Sequence, residues 1–119
     1  MKREESILKE KSEAFSKRIV RLYKYLTQQK DETIISKQIY RSGTSIGANI
    51  REGQRAQSKP DFFSKLNISL KEAEETAYWL ELLYEGGYLT KDEFSSIYAD
   101  NEEIIRLLVS ITKKQKMLK

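Results

Sequence analysis

The sequence predicts an all-α protein, a single domain over residues 1–119 folded as an antiparallel up-down-up-down four-helix bundle. Three observations predict it. Helix formers are everywhere and charged residues reach 34%, while one Pro and five Gly are all that could break a helix, a composition that suits helices better than sheets. Apolar residues recur at intervals of three and four along four long segments, the spacing of a helix face. The three connections between those segments are each a few residues long, which makes consecutive helices antiparallel neighbours.

The first helix is expected over about 6–28, with Ser6 as a possible N-cap. Its core stripe is Leu8, Phe15, Ile19, Leu22 and Leu26, narrow and coiled-coil-like. Lys17, Arg21 and Lys24 lie opposite, either as a solvated basic face or as an anion-binding surface. A connection at 30–32, where Asp31 could cap, leads to a second helix over about 32–53.

The second helix organises the rest. At 100° per residue Ile35, Ile39, Ser42, Ile46, Ile50 and Gly53 share one face, and Lys37, Arg41, Thr44, Ala48, Arg51 and Arg55 share the opposite one. Ser36, Tyr40, Gly43 and Gly47 lie on the flank between them. Each interior Gly costs up to about 1 kcal/mol relative to Ala in a solvated helix. The small residues are therefore expected where another helix backbone comes close. A phosphate-binding loop would need a preceding strand and a Lys-Ser/Thr ending, and neither is present. Gly53 is a natural C-terminal residue because it tolerates positive φ.

The third helix is expected over about 59–86, with Ser58 as N-cap, Pro60 in the first turn and Asp61 at the capping-box position. Phe63, Leu66, Leu70, Ala73, Ala77, Leu80 and Tyr84 form its core stripe. A second stripe of Phe62, Ser69, Thr76, Trp79 and Leu83 is too apolar at its large residues to meet only water. Gly86-Gly87 ends the helix, and Thr90 with Glu93 forms a capping box for a fourth over about 91–116. Phe94, Ile97, Asn101, Ile104, Leu108 and Ile111 make the fourth seam, with Tyr98, Ile105 and Val109 beside it. Asn101 at a seam position, like Asn49, reads as structural, fixing register. Helices of these lengths would make a bundle roughly 30 to 40 Å tall.

Three stretches carry a family resemblance: IVRLYKYL (Ile19 to Leu26), YRSGTSIGANIREGQRAQSKPDF (Tyr40 to Phe62) and LKEAEETAYWLELL (Leu70 to Leu83). Together they resemble the four-helix-bundle proteins encoded in intervening sequences of bacterial 23S rRNA genes, over nearly the whole chain. Relatives of that family include the accessory variability protein of diversity-generating retroelements, a pentameric bundle that binds nucleic acid and a reverse transcriptase. The resemblance implies the bundle fold and a homopentamer, with RNA or DNA and a protein such as a reverse transcriptase as possible partners. It implies no settled biochemical activity.

Composition narrows the function classes. The absence of Cys excludes disulfides and thiolate metal sites, and the absence of His removes the commonest metal ligand and general base. No cofactor or metal is expected. An enzyme would have to work with carboxylates, Lys or Tyr, and Glu72, Glu75, Glu81 and Glu85 read more simply as a solvated face. The early charges of the N-terminus, without an apolar run long enough to span a membrane, lead to the expectation of a soluble cytoplasmic protein with no membrane partner.

Net charge is only +4, but its distribution is uneven. Segment 60–103 sets three Lys against eleven carboxylates, whereas 104–119 carries Arg106, Lys113, Lys114, Lys116 and Lys119 with no acid. In an up-down bundle Lys2, Arg3, Arg51, Arg55, Lys59 and those C-terminal lysines would crowd one pole, and Glu81, Glu85, Asp92 and Glu93 the other. A basic pole attracts phosphate backbones without reading sequence. The expectation is thus a non-enzymatic oligomer that binds RNA or DNA through Arg51, Arg55, Lys59, Lys113, Lys114 and Lys116, extended by Lys17, Arg21, Lys24 and Arg41. Its packing or oligomer interface would use Tyr40, Gly43, Gly47, Phe62, Trp79, Leu83, Tyr98, Ile105 and Val109. The rival expectation is a homo-oligomeric scaffold that docks a protein partner without nucleic acid.

Overall fold

The computed structural model describes residues 2–118, so Lys119 of the basic pole lies outside the described residues. Four α-helices are present among them: α1 (Arg3–Gln29), α2 (Ile35–Gln54), α3 (Lys59–Glu85) and α4 (Lys91–Thr112), followed by a 3-10 turn at Lys113–Leu118. Contacts between elements run from α1 to α2, α2 to α3, α3 to α4 and back from α4 to α1, closing a square bundle. Each neighbour is antiparallel, because one partner's number falls as the other's rises. Gln54 reaches Glu5 while Tyr40 meets Tyr23, Ser69 bonds Ile46 while Thr76 bonds Ser42, and Asn101 bonds Ala73 while Phe94 stacks on Tyr84. The molecule measures 48 × 21 × 20 Å. At 1.5 Å per residue the 27 residues of α1 and α3 account for about 40 Å of the length; the connections and the turn after α4 add the rest.

Helix ends show where local chemistry prevailed. Thr90 and Glu93 form the reciprocal capping box, with the Glu93 N–H donating to the Thr90 hydroxyl (3.1 Å) and the Thr90 N–H to the Glu93 carboxylate (2.8 Å). The Ser58 hydroxyl accepts from the Asp61 N–H, and Gly87 takes the left-handed φ of 82° after α3. Ser6 is not a cap: α1 begins nearly a turn earlier, and Glu4 and Glu5 occupy its first turn, where carboxylates favour the helix dipole. Asp31 is not the cap of α2 either. It sits at φ 53° and turns the chain, while the Glu32 carboxylate accepts from the N–H groups of Ile34, Ile35 and Ser36.

Gly53 does not end α2 through a positive φ; the helix continues to Gln54. The glycine is there for closeness, since a Cβ would stand 2.8 Å from Leu66 Cδ1. α4 stops at Thr112 rather than near 116, where consecutive lysines give way to the tighter 3-10 turn.

The core contains Phe15, Ile19, Ile39, Ile46, Leu66, Leu80, Ile104 and Leu108, all essentially inaccessible. α3 departs from the expected division into core stripe and outer stripe. Ser69, Thr76 and Leu83 are fully buried, whereas Tyr84, expected in the core, is exposed and stacks on Phe94. The reason is packing: the line of Ser69 and Thr76 meets α2 at Ile46 and Ser42, while Ala73 meets Asn101 of α4, so two lines of α3 are interior. Thr76 donates its one proton to the Glu72 carbonyl, so Ser42 donates to Thr76 Oγ1 (2.8 Å), and Ser69 donates to the Ile46 carbonyl (2.9 Å). The second stripe of α3 is therefore largely consumed within the chain.

Candidate functional site

Alternating helix directions bring the start of α1, the α2–α3 loop and the end of α4 to one pole. Three contacts hold them there. Gln54 Nε2 donates to the Glu5 carbonyl (2.9 Å), Lys114 Nζ to Glu4 Oε1 (2.8 Å), and Ser110 Oγ to Glu4 Oε2 (2.6 Å). Between them opens a cleft of about 830 Å³. Its lining combines apolar groups (Phe62, Phe63 and Ile111), small or polar groups of the loop (Gly53, Gln54, Ala56, Gln57 and Ser58), and the cations Lys2, Lys59 and Lys114, with Glu5 the lone acid. The Ser58 cap and Pro60 start α3 abruptly, which sets Lys59 at the rim and Phe62 one turn inside.

The expected binding residues do not all share this pole or its free charge. Lys59, Lys113, Lys116 and Arg55 are exposed and make no ion pair among the described residues. Lys114 is engaged by Glu4, and Arg51 by Glu13 at 3.3 Å. Lys17, Arg21 and Lys24 are exposed along the side of α1. Lys17 and Arg51 border a lateral cleft of about 510 Å³ floored by Gly47 and Ala48. Arg41 bridges to Glu72 (3.0 Å) and to Glu75, so it ties α2 to α3 and its charge is spent there.

The expected interface residues divide in the same way. Gly43 and Gly47 face α1 of the same chain, against Ile19 and against Ser16 and Ser12. Leu83 is fully buried in the core. Trp79 is half-buried, its indole N–H donating to Glu75 (2.9 Å), and the half-buried Tyr98 donates to Glu81 (2.6 Å). Phe62 and Ile105 are half-buried against the core. Tyr40 and Val109 are exposed, and Ile68 and Tyr78, which periodicity did not single out, are exposed with them.

Titration is set by these contacts. Lys114 and Ser110 hold the Glu4 carboxyl below the usual glutamate range, Arg51 and Lys9 do so for Glu13, Trp79 and Arg41 for Glu75, and the Thr90 N–H for Glu93. The Glu81 carboxylate and burial push the Tyr98 hydroxyl up to about 12. Every one of these carboxyl shifts favours the anion, whereas a general acid or base works best with a value near neutrality. Among the described residues no group of three or more acidic, His or Cys side chains is arranged to hold a metal ion, and no helix is long and apolar enough to cross a membrane.

Comparison with known proteins agrees with this architecture. The family described as 23S rRNA-intervening sequence protein matches residues 4–110. A crystal structure of a protein of unknown function from the S23 ribosomal protein family of Bacteroides thetaiotaomicron VPI-5482 is 55% identical. It superposes with a TM-score of 0.91, the match covering 92% of this chain and 98% of that one. No curated protein matches.

Proposed function

We propose, for a chain that belongs to the 23S rRNA-intervening sequence protein family, a non-enzymatic helical module that binds RNA or DNA through its basic pole with low sequence specificity. The observation that carries this reading is that Lys2 and Lys59 line the polar cleft while the alternating helix directions bring Arg55, Lys113 and Lys116 to the same end, all five without ion pairs among the described residues. Unpaired, solvated cations are free to displace counterions from a phosphate backbone. In a homo-oligomer such as a pentamer these poles would add, raising avidity without a new kind of contact.

The test is a binding titration at several salt concentrations, for wild type and for Arg55→Glu/Lys59→Glu/Lys116→Glu. These three are chosen because none holds a carboxylate of the bundle, unlike Arg51 and Lys114. A pole that neutralises three or four phosphates gives a slope of log K against log salt of roughly −3, and the triple variant flattens it. No binding by wild type at low salt removes this reading.

A second reading, a homo-oligomeric scaffold that docks a protein partner without nucleic acid, draws on a different observation: Tyr40, Ile68, Tyr78 and Val109 are exposed apolar groups on the flanks. Light scattering that returns the 14.0 kDa mass of one chain at tens of micromolar removes the oligomer from both readings.

A further inference from the structure

Phosphate binding alone makes no use of the apolar floor of the polar cleft. Phe62, Phe63 and Ile111 lie beneath a rim where Lys2 and Lys59 supply the free positive charge, Lys114 being paired with Glu4, and Glu5 is the acid of the lining. Phe62 is half-buried, whereas Phe63 belongs to the core. Their rings meet edge to face, with centroids 5.2 Å apart at 71°, which fixes how the Phe62 ring is presented. Gly53 and Ala56 are also among the lining residues and bring little bulk to it. At about 830 Å³, the cleft falls within the usual size of small-ligand sites.

We propose that this cleft receives an unpaired base of single-stranded nucleic acid. The base packs on Phe62, its edges meet the polar groups of Gln54, Gln57 and Ser58, and the flanking phosphates lie against Lys2 and Lys59. The inference rests on the nucleic-acid reading above and adds the form of nucleic acid that the pole prefers. In a duplex the base faces are stacked and out of reach of such a floor; in a single strand each base has a free π-face, and stacking on an aromatic side chain tolerates any sequence. Apolar floor and cationic rim together match a strand that alternates bases with phosphates.

The experiment compares four labelled probes of equal length at one low salt concentration: single-stranded DNA, single-stranded RNA, single-stranded DNA with abasic sites, and blunt duplex DNA. Intact single strands are expected to bind about tenfold more tightly than the abasic strand and the duplex. Phe62→Leu, which keeps an apolar floor but removes the ring face, is expected to lose most of that difference, with its fold checked by circular dichroism. The abasic comparison uses wild type alone, so it decides even if the variant unfolds. Equal affinity for intact and abasic strands overturns the proposal and leaves backbone binding standing. A folded Phe62→Leu that still discriminates fully also overturns the assignment to this cleft. Binding of none of the four probes overturns the nucleic-acid reading itself.

Discussion

A methyl group placed on Gly43 would stand 2.7 Å from Ile19 Cγ1 and within 3 Å of two more carbons of the same buried side chain. α1 therefore rests on bare α2 backbone at this point. Gly43→Ala is expected to destabilise by about 1–3 kcal/mol through overpacking, despite the better helix propensity of Ala. Gly47→Ala is different. Its nearest neighbour is the rotatable Ser16 hydroxyl, and the next is Ser12 O at an ordinary 3.4 Å. That variant should stay within about 1 kcal/mol of wild type, the helix gain offsetting the lost bond from Ser16 to Ser12. Thermal melts rank the two, and a Gly43→Ala protein that melts above wild type would refute the close crossing.

Asn101 is fully buried, donating from Nδ2 to the Ala73 carbonyl (2.9 Å), while its Oδ1 has no partner among the described residues. Asn101→Leu removes that unsatisfied acceptor and should raise the denaturation midpoint, by about 1–2 kcal/mol in stability. The same change removes the polar tie between α3 and α4, so hydrogen exchange along their seam should become faster relative to global unfolding. A loss of stability in Asn101→Leu would show that the oxygen is satisfied.

Trp79, the only tryptophan, donates to Glu75, which also pairs with Arg41. These contacts depress the Glu75 carboxyl, chiefly through the indole bond and then through Arg41. A depressed folded value means that the stabilisation is present above the unfolded value and is lost as pH falls through the folded one. Partial exposure keeps it below about 1 kcal/mol. Indole emission followed against pH should show an inflexion below the ordinary glutamate range, absent in Glu75→Gln. The same curve for both proteins would contradict the assignment.

Glu32 caps three N–H groups of α2 from a buried position, whereas Asp31 only turns the chain. Glu32→Ala is expected to cost about 2 kcal/mol. Asp31→Gly should be neutral or stabilising, because its φ of 53° suits glycine. Urea denaturation of both variants checks the order, and an equal loss would place the cap elsewhere.

The fold was legible where one residue type has one physical role. Ser58, Thr90 with Glu93, and Gly87 announce their ends locally, and the three-and-four spacing marks each core line. Glu32 is not legible as a cap because its carboxylate reaches two to four residues ahead, while Asp31 beside it is the commoner capping residue type. α3 divides differently because periodicity locates an apolar line, but not that Ser69 and Thr76 beside it find hydrogen-bond partners inside the bundle. At the candidate site, convergence of the basic residues follows from alternating helix directions. Which of them were already neutralised does not: Glu4 meets Lys114 across 110 positions and Glu13 meets Arg51 across 38. The apolar floor, too, exists only once Phe62 and Ile111 are brought together.

The four seams of the bundle are not equivalent. α2 and α3 are joined by buried hydroxyls and share the most extensive contact, whereas α1 and α4 share the least; they are bridged by Lys11–Glu103 and Arg18–Asp100, and α1 is tied by Glu4–Lys114 to the turn after α4. Contacts distant in the chain require the largest loop closure before they are rewarded. The α2–α3 hairpin is thus expected to form early, and the α1–α4 edge is expected to close last as the chain folds. That edge is also the first to fray: a nascent chain whose final helix has not yet emerged holds a three-helix sheaf with one side still open.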